Sequence, residues 1–158
     1  MSSDSGPSGR PPRASELAFL RDAPVGRLAT VDAHGYPAVV PFCFAVLEGD
    51  EPAIVSVLDD KPKRVPDDDL ARVRHIRRHP AVGFVVDHYD DDWSQLAFVQ
   101  IRGQARLLAP GGEGHAAAIT ALREKYPQYR EMAIEERAVI VIEGLRTVSW
   151  RGDGGRFG

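Results

Sequence analysis

The sequence predicts a mainly β protein, an antiparallel barrel with helices at its periphery. Two observations carry that expectation. Short apolar runs follow one another across turn signals, as hairpins do, and the helical segments fall between them as inserts. The strict strand-helix alternation of a doubly wound parallel sheet is absent. At 158 residues the chain fits one domain with a core of its own.

The elements follow in order. Met1 to Arg13 is rich in Ser, Gly and Pro and has no apolar stretch of the signal-peptide kind, so residues 1–13 read as a disordered lead-in. Ser15 to Arg21 reads as a short helix capped by Ser15 and ended by Pro24. Val25 to Val31, the turn Asp32-Ala33-His34-Gly35 and the run Pro37 to Val46 form a hairpin. Pro41 inside the second run requires an edge, a bulge or a strand that opens onto a ligand. Ala53 to Leu58 is a third strand. Leu70 to His79 is a helix stopped by Pro80, with Leu70, Val73, Ile76 and Arg77 on one face at ~100° per residue. Ala81 to Asp87 and Leu96 to Leu108 are strands, Glu113 to Lys125 is a helix, and a final strand starts at Ala138 and continues past Gly144 toward Trp150. Residues 14–151 make one domain, and 152–158 read as a loose tail.

Composition narrows the function. Formal net charge is −3, so a general nucleic-acid surface is opposed by the global charge. A single cysteine, Cys43, forbids an intrachain disulfide and points to a cytoplasmic setting. No apolar run approaches the ~18–20 residues of a membrane helix. Against this acidic background, the third strand runs into Asp59-Asp60-Lys61-Pro62-Lys63-Arg64. Lys61, Lys63 and Arg64 at a strand exit suit one specific anionic ligand, because lysine brings a mobile charge and arginine a planar fork. The competing reading is a solvated loop balanced by its own aspartates, Asp67 to Asp69 included. Arg77, placed on an apolar face, needs an anionic partner or a route for its stem to solvent.

The remaining residues advertise no reaction. His75 and His79 stand four apart without the glutamate of a zinc protease, and a solvated helix face is the simpler reading. No metal site is expected. Cys43 lacks an activating neighbour. Glycine-rich phosphate motifs and the G-x-S-x-G elbow are missing, which points to chemistry borne by a cofactor.

The segment Val25-Gly26-Arg27-Leu28-Ala29-Thr30-Val31-Asp32, followed by Gly35, Pro37 and Pro41, resembles the opening hairpin of the pyridoxamine 5′-phosphate oxidase-like superfamily. Leu58 to Lys63, Arg78-His79-Pro80 and Val82 to Asp87 resemble its second signature, and Val86 to Trp93 is similar to its branch of coenzyme F420-dependent enzymes. The resemblance implies a six-stranded antiparallel split β-barrel of the FMN-binding type. It also implies a homodimer with cofactor sites at the subunit interface, and hydride transfer to a small organic acceptor. The cofactor would be the deazaflavin F420, with FMN as the alternative. By family position, Val39, Val40, Pro41 and Phe42 would lie along the ring and Ser56 and Val57 beside it. Lys61 and Lys63 would take the phosphate, with Arg64 and Arg77 as further cations. Trp93 and Trp150 would close the pocket, and His88 or Tyr89 could donate a proton. The acidic stretch Val65 to Asp69 departs from shorter relatives and competes for Arg64. A non-catalytic flavin-, F420- or haem-binding protein is the other class of reading.

Overall fold

The computed structural model describes residues 8–58 and 70–158. Three helices and seven strands make up the body: α1 (Ala14–Asp22), β1 (Gly26–Val31), β2 (Pro37–Phe42), β3 (Ala45–Leu47), β4 (Ala53–Val57), α2 (Ala71–Arg78), β5 (Ala81–His88), β6 (Ala97–Leu108), α3 (His115–Lys125) and β7 (Val139–Arg151). The strands form one antiparallel sheet in the order β2-β1-β5-β6-β7-β4-β3.

The sheet does not close its ladder, which corrects the expected closed barrel. Its two edge strands, β2 and β3, are consecutive in the chain and joined by Cys43-Phe44 alone. The sheet must therefore coil until its edges meet. Counted as one interrupted strand, β2 and β3 reduce the seven strands to the expected six. The interruption arises because the chain changes partners there. Phe42 ends the register with β1 opposite Gly26, and Ala45 begins a new one opposite Val55 on β4. Backbone groups that lose the ladder at this point find side chains instead. The Phe44 N–H donates to Tyr126 Oη at 3.0 Å, and Ser56 Oγ donates to the Cys43 carbonyl at 2.7 Å. Tyr126 Oη also lies 2.9 Å from the Pro24 carbonyl, so one phenol ties the break to the start of β1.

Local chemistry explains the other elements. In the β1–β2 turn, the Asp32 carboxylate accepts from the N–H groups of His34 and Tyr36 at 2.8 and 3.0 Å. Those bonds hold its pKa below the usual carboxylate range. Gly35 supplies the left-handed residue, at φ 85°. Between β6 and β7 the register slips at Gly103, where Gly144 and Leu145 oppose one residue. A Cβ on Gly103 would lie 2.6 Å from the Glu143 carbonyl, so only glycine allows the strands this close. The last strand is continuous through this bulge.

Two apolar clusters result. One fills the coil, with Leu28, Phe42, Phe44, Phe84 and Ile101 at its centre. The other lies under α3, where Val55, Val57, Val139 and Val141 meet Ile119 and Leu122. Because α3 covers the outer side of β4, that short strand is buried on both faces.

Several expectations are corrected. Ser15 does not cap α1. Arg13 holds that position, and Glu16 accepts its N–H at 2.8 Å. Beside these corrections, described residues of both termini touch the body. Arg10 pairs with Thr147 through backbone bonds in both directions. Phe157 is buried with its ring edge-on to Phe19 at 5.3 Å. On α2, Val73 and Ile76 are buried as the pattern requires, but Arg77 is exposed. In a two-turn helix the apolar stripe is narrow, and Arg77 falls outside it. His75 is half-buried, its Nδ1 2.9 Å from Thr30 Oγ1, and so does not sit on a solvated face. None of the described helices is long and apolar enough to cross a membrane.

Candidate functional site

β2 is an edge strand with its outer face bare. Val39 is 63% exposed and Pro41 is exposed on the same face, while Val40, on the opposite face, is still 39% exposed. Proline suits this place because an edge strand has no second ladder to supply. Alternation divides the predicted ring-lining residues. Val39 and Pro41, opposite Ala29 and Arg27, point outward, whereas Val40 and Phe42, opposite Leu28 and Gly26, point inward. Phe42 belongs to the core, stacked on Phe44 at 5.2 Å and edge-on to Phe84 at 5.4 Å. Its expected position along a ring is thus taken by packing. Ser56 and Val57 are buried too. Ser56 spends its donor on Cys43, and Val57 lies under α3.

Lys61, Lys63 and Arg64 lie outside the described residues. The flanking elements are placed, with β4 ending at Val57 and α2 beginning at Ala71. Arg77 sits exposed on α2.

Trp93 and Trp150 form a second cluster. Trp93 opens a short 3-10 turn, Trp93–Gln95, capped by Asp92, and is 70% exposed. Trp150, 47% exposed, stacks on Phe98 across the β6–β7 ladder at 6.2 Å between centroids. Gly152 brings the two together, since its N–H donates to the Leu96 carbonyl at 2.7 Å and a Cβ there would strike the Trp93 carbonyl. Trp150 lies on β7 and Val39 on β2, with β1, β5 and β6 between them in the ladder order.

His88 and Tyr89 end β5. Tyr89 is 66% exposed, and His88 Nε2 stands 4.0 Å from Asp90. His88, Asp87 and Arg27 line a cavity of about 370 Å³ with Phe19 and Val25. Sequence reasoning did not single out Arg27. Its signal was present, since it is the charged, outward member of an otherwise apolar strand.

Comparison with known proteins comes down on one family. Residues 14–151 match the profile of the pyridoxamine 5′-phosphate oxidase family. A 5a,11a-dehydrotetracycline/5a,11a-dehydrooxytetracycline reductase from Streptomyces rimosus subsp. rimosus is 34% identical over 98 residues. That match covers 61% of this chain and 64% of the relative, so the shared part spans less than two thirds of the reductase. A conserved hypothetical protein from Mycobacterium tuberculosis shares the fold with a TM-score of 0.69 at 21% identity, covering 95% of this chain and 91% of that one. A structure described as an F420 reductase superposes with a TM-score of 0.57 at 21% identity, over 88% of this chain and 98% of its own. A haem-binding protein from Mycobacterium smegmatis has the same fold, with a TM-score of 0.59 at 21% identity, over 91% of this chain and 60% of that one.

Proposed function

The chain belongs to the pyridoxamine 5′-phosphate oxidase family, and on that premise we propose that it is a coenzyme F420-dependent oxidoreductase working as a homodimer on a small organic acceptor. The observation that carries this reading is the bare apolar wall on the edge strand, Val39 and Pro41, on an otherwise well-packed sheet. A flat heterocycle fits such a wall, and its burial there removes apolar surface from water. The residues behind the wall suit it to hold a ring in one place. Phe42 and Phe44 are packed in the core, and Ser56 and Tyr126 fix the backbone between them. The residues present therefore fit the group.

Lys61 and Lys63 would hold its phosphate, and Arg64 an acidic tail. Trp93 and Trp150 would close the site from a second copy. When bound, the deazaflavin supplies two electrons as a hydride. The chain's own part is to bind, orient and exclude water. Tyr89 or His88, at the end of β5, would supply a proton where the reaction needs one. The reductase relative supports reduction of an organic acceptor, and the F420 reductase neighbour supports the fold's fitness for this coenzyme.

FMN is the second reading, favoured by the oxidase family description. A fluorescence titration of the purified protein with F420 and with FMN separates them. F420 should bind more tightly, and Lys61→Ala and Lys63→Ala should each weaken binding by about 1–3 kcal/mol. Preference for FMN would move the assignment to the flavin. Saturable binding without turnover of any acceptor would favour a carrier. Unchanged affinity in both lysine variants would remove the phosphate assignment.

A further inference from the structure

A groove of about 400 Å³ lies between the two ends of the chain, lined by Arg10, Arg13, Ser149, Trp150, Arg151 and Arg156 together with the tail around Phe157. Four arginines line one cavity in a protein of net charge −3. Two carboxylates accompany them. Glu16, fully buried, takes the Arg10 fork at 2.7 and 2.8 Å, and Asp153 stands 3.6 Å from Arg151. Glu16 meets Arg10 and Asp153 meets Arg151, and among the described residues Arg13 and Arg156 make no ion pair. Arg13 donates to the Phe157 carbonyl, a neutral acceptor, at 2.7 Å. Arg156 is exposed at the rim.

These groups are held in place. Arg10 is fixed by its backbone pairing with Thr147, and Arg151 lies over the Phe157 ring at 5.2 Å. The fold thus brings two arginines of the N-terminal segment against Arg151 at the end of β7 and Arg156 of the C-terminal tail. An anion set between them would relieve their mutual repulsion. Guanidinium forks match the oxygens of phosphate and carboxylate, and the exposed face of Trp150 offers apolar contact alongside.

We infer that this groove binds a small multivalent oxyanion, a phosphate ester or a di- or tricarboxylate, bridging Arg13, Arg151 and Arg156. Its cations are distinct from those of the cofactor reading, Lys61 to Arg64, while Trp150 has a place in both.

Isothermal titration and thermal unfolding of the full chain at low ionic strength test it, with pyrophosphate and citrate as probes. Saturable binding of at least one probe that persists in Lys61→Ala/Lys63→Ala, with a rise in Tm, is expected. The tighter probe identifies the phosphate or the carboxylate as the natural chemistry. Arg13→Ala/Arg156→Ala should weaken binding about tenfold or more, as the loss of charge-assisted contacts predicts. Arg156→Gln alone, which leaves the Arg13 bond to Phe157 intact, should weaken it about threefold or more. Lys61→Ala/Lys63→Ala should leave it unchanged. Non-saturating heats for both probes, wild-type affinity in the arginine variants, or a loss confined to the lysine variant would each overturn the assignment.

Discussion

Glu16→Gln reports on how the N-terminal segment is fastened to the body. The wild-type carboxylate is fully buried and accepts from Arg10 Nη1 at 2.7 Å, Arg10 Nη2 at 2.8 Å, the Arg13 N–H at 2.8 Å and the Ser149 hydroxyl. Burial alone pushes its pKa up, but these donors outweigh burial and hold it down at about 2, from an ordinary 4.5. A depressed carboxylate pKa contributes stability that is complete above the unfolded value and lost as pH falls through the folded one. The window is therefore pH 4.5 down to 2, and the difference corresponds to about 3 kcal/mol. Glutamine keeps the shape and the bond from Arg13 but turns an amide donor toward the Arg10 fork. Arg10 is 35% exposed and can recover water, so the loss at pH 7 should be about 2–3 kcal/mol rather than the full cost of an orphaned buried charge. For a chain of this size that is a fall in Tm of about 5–10 °C. Urea unfolding followed by circular dichroism across pH 2–7 measures it. The gap between wild type and variant should shrink as pH drops from 4.5 to 2. A gap that is absent at pH 7, or that stays constant to pH 2, would refute the reasoning.

Three further outcomes are expected. Tyr126→Phe deprives the Phe44 N–H of its acceptor and should cost about 1–3 kcal/mol in urea unfolding, whereas an unchanged midpoint would deny the phenol its role at the strand break. Gly103→Ala places a methyl 2.6 Å from the Glu143 carbonyl and should destabilise by about 1–3 kcal/mol, so a neutral effect would contradict the tight bulge. Burial holds Lys125 down at about 8, against the pull of Cys43 and Asp22. Its charged form is disfavoured in the fold, a penalty present below pH 8 and relieved as pH rises from 8 toward 10.5. Lys125→Met should be as stable as wild type or more so at pH 7 and should lose that relief. A variant whose Tm follows the wild-type pH profile would show the amine to be solvated.

The fold was legible because its signals are local. Alternation in 97–108, the Asp32 to Gly35 turn and the stop at Pro80 all act within a few residues. The break at Cys43-Phe44 was not, because its cause is distant: Phe44 pairs with a phenol 82 residues away, and the switch from β1 to β4 is a property of the closing coil. The docked tail was hidden for the same reason. Gly152 to Gly155 reads as slack, and a single phenylalanine beyond it finds Phe19. In the candidate site, Pro41 announced an edge strand, and the exposed Val39 agrees. The residues two apart from one another could be assigned to a face, but Phe42 and Ser56 were already committed to packing and to the strand break, which no motif reveals.

In the proposed dimer, the Val39 wall of one subunit would meet the Trp150 cluster of another around a deazaflavin. Titration with F420 followed by tryptophan emission tests this directly, because Trp93 and Trp150 are the chain's two tryptophans. Saturable quenching at one F420 per chain is predicted, lost in Val39→Asp, and reduced in Trp150→Phe while binding seen by F420 emission persists. Wild-type F420 affinity in Val39→Asp would contradict it.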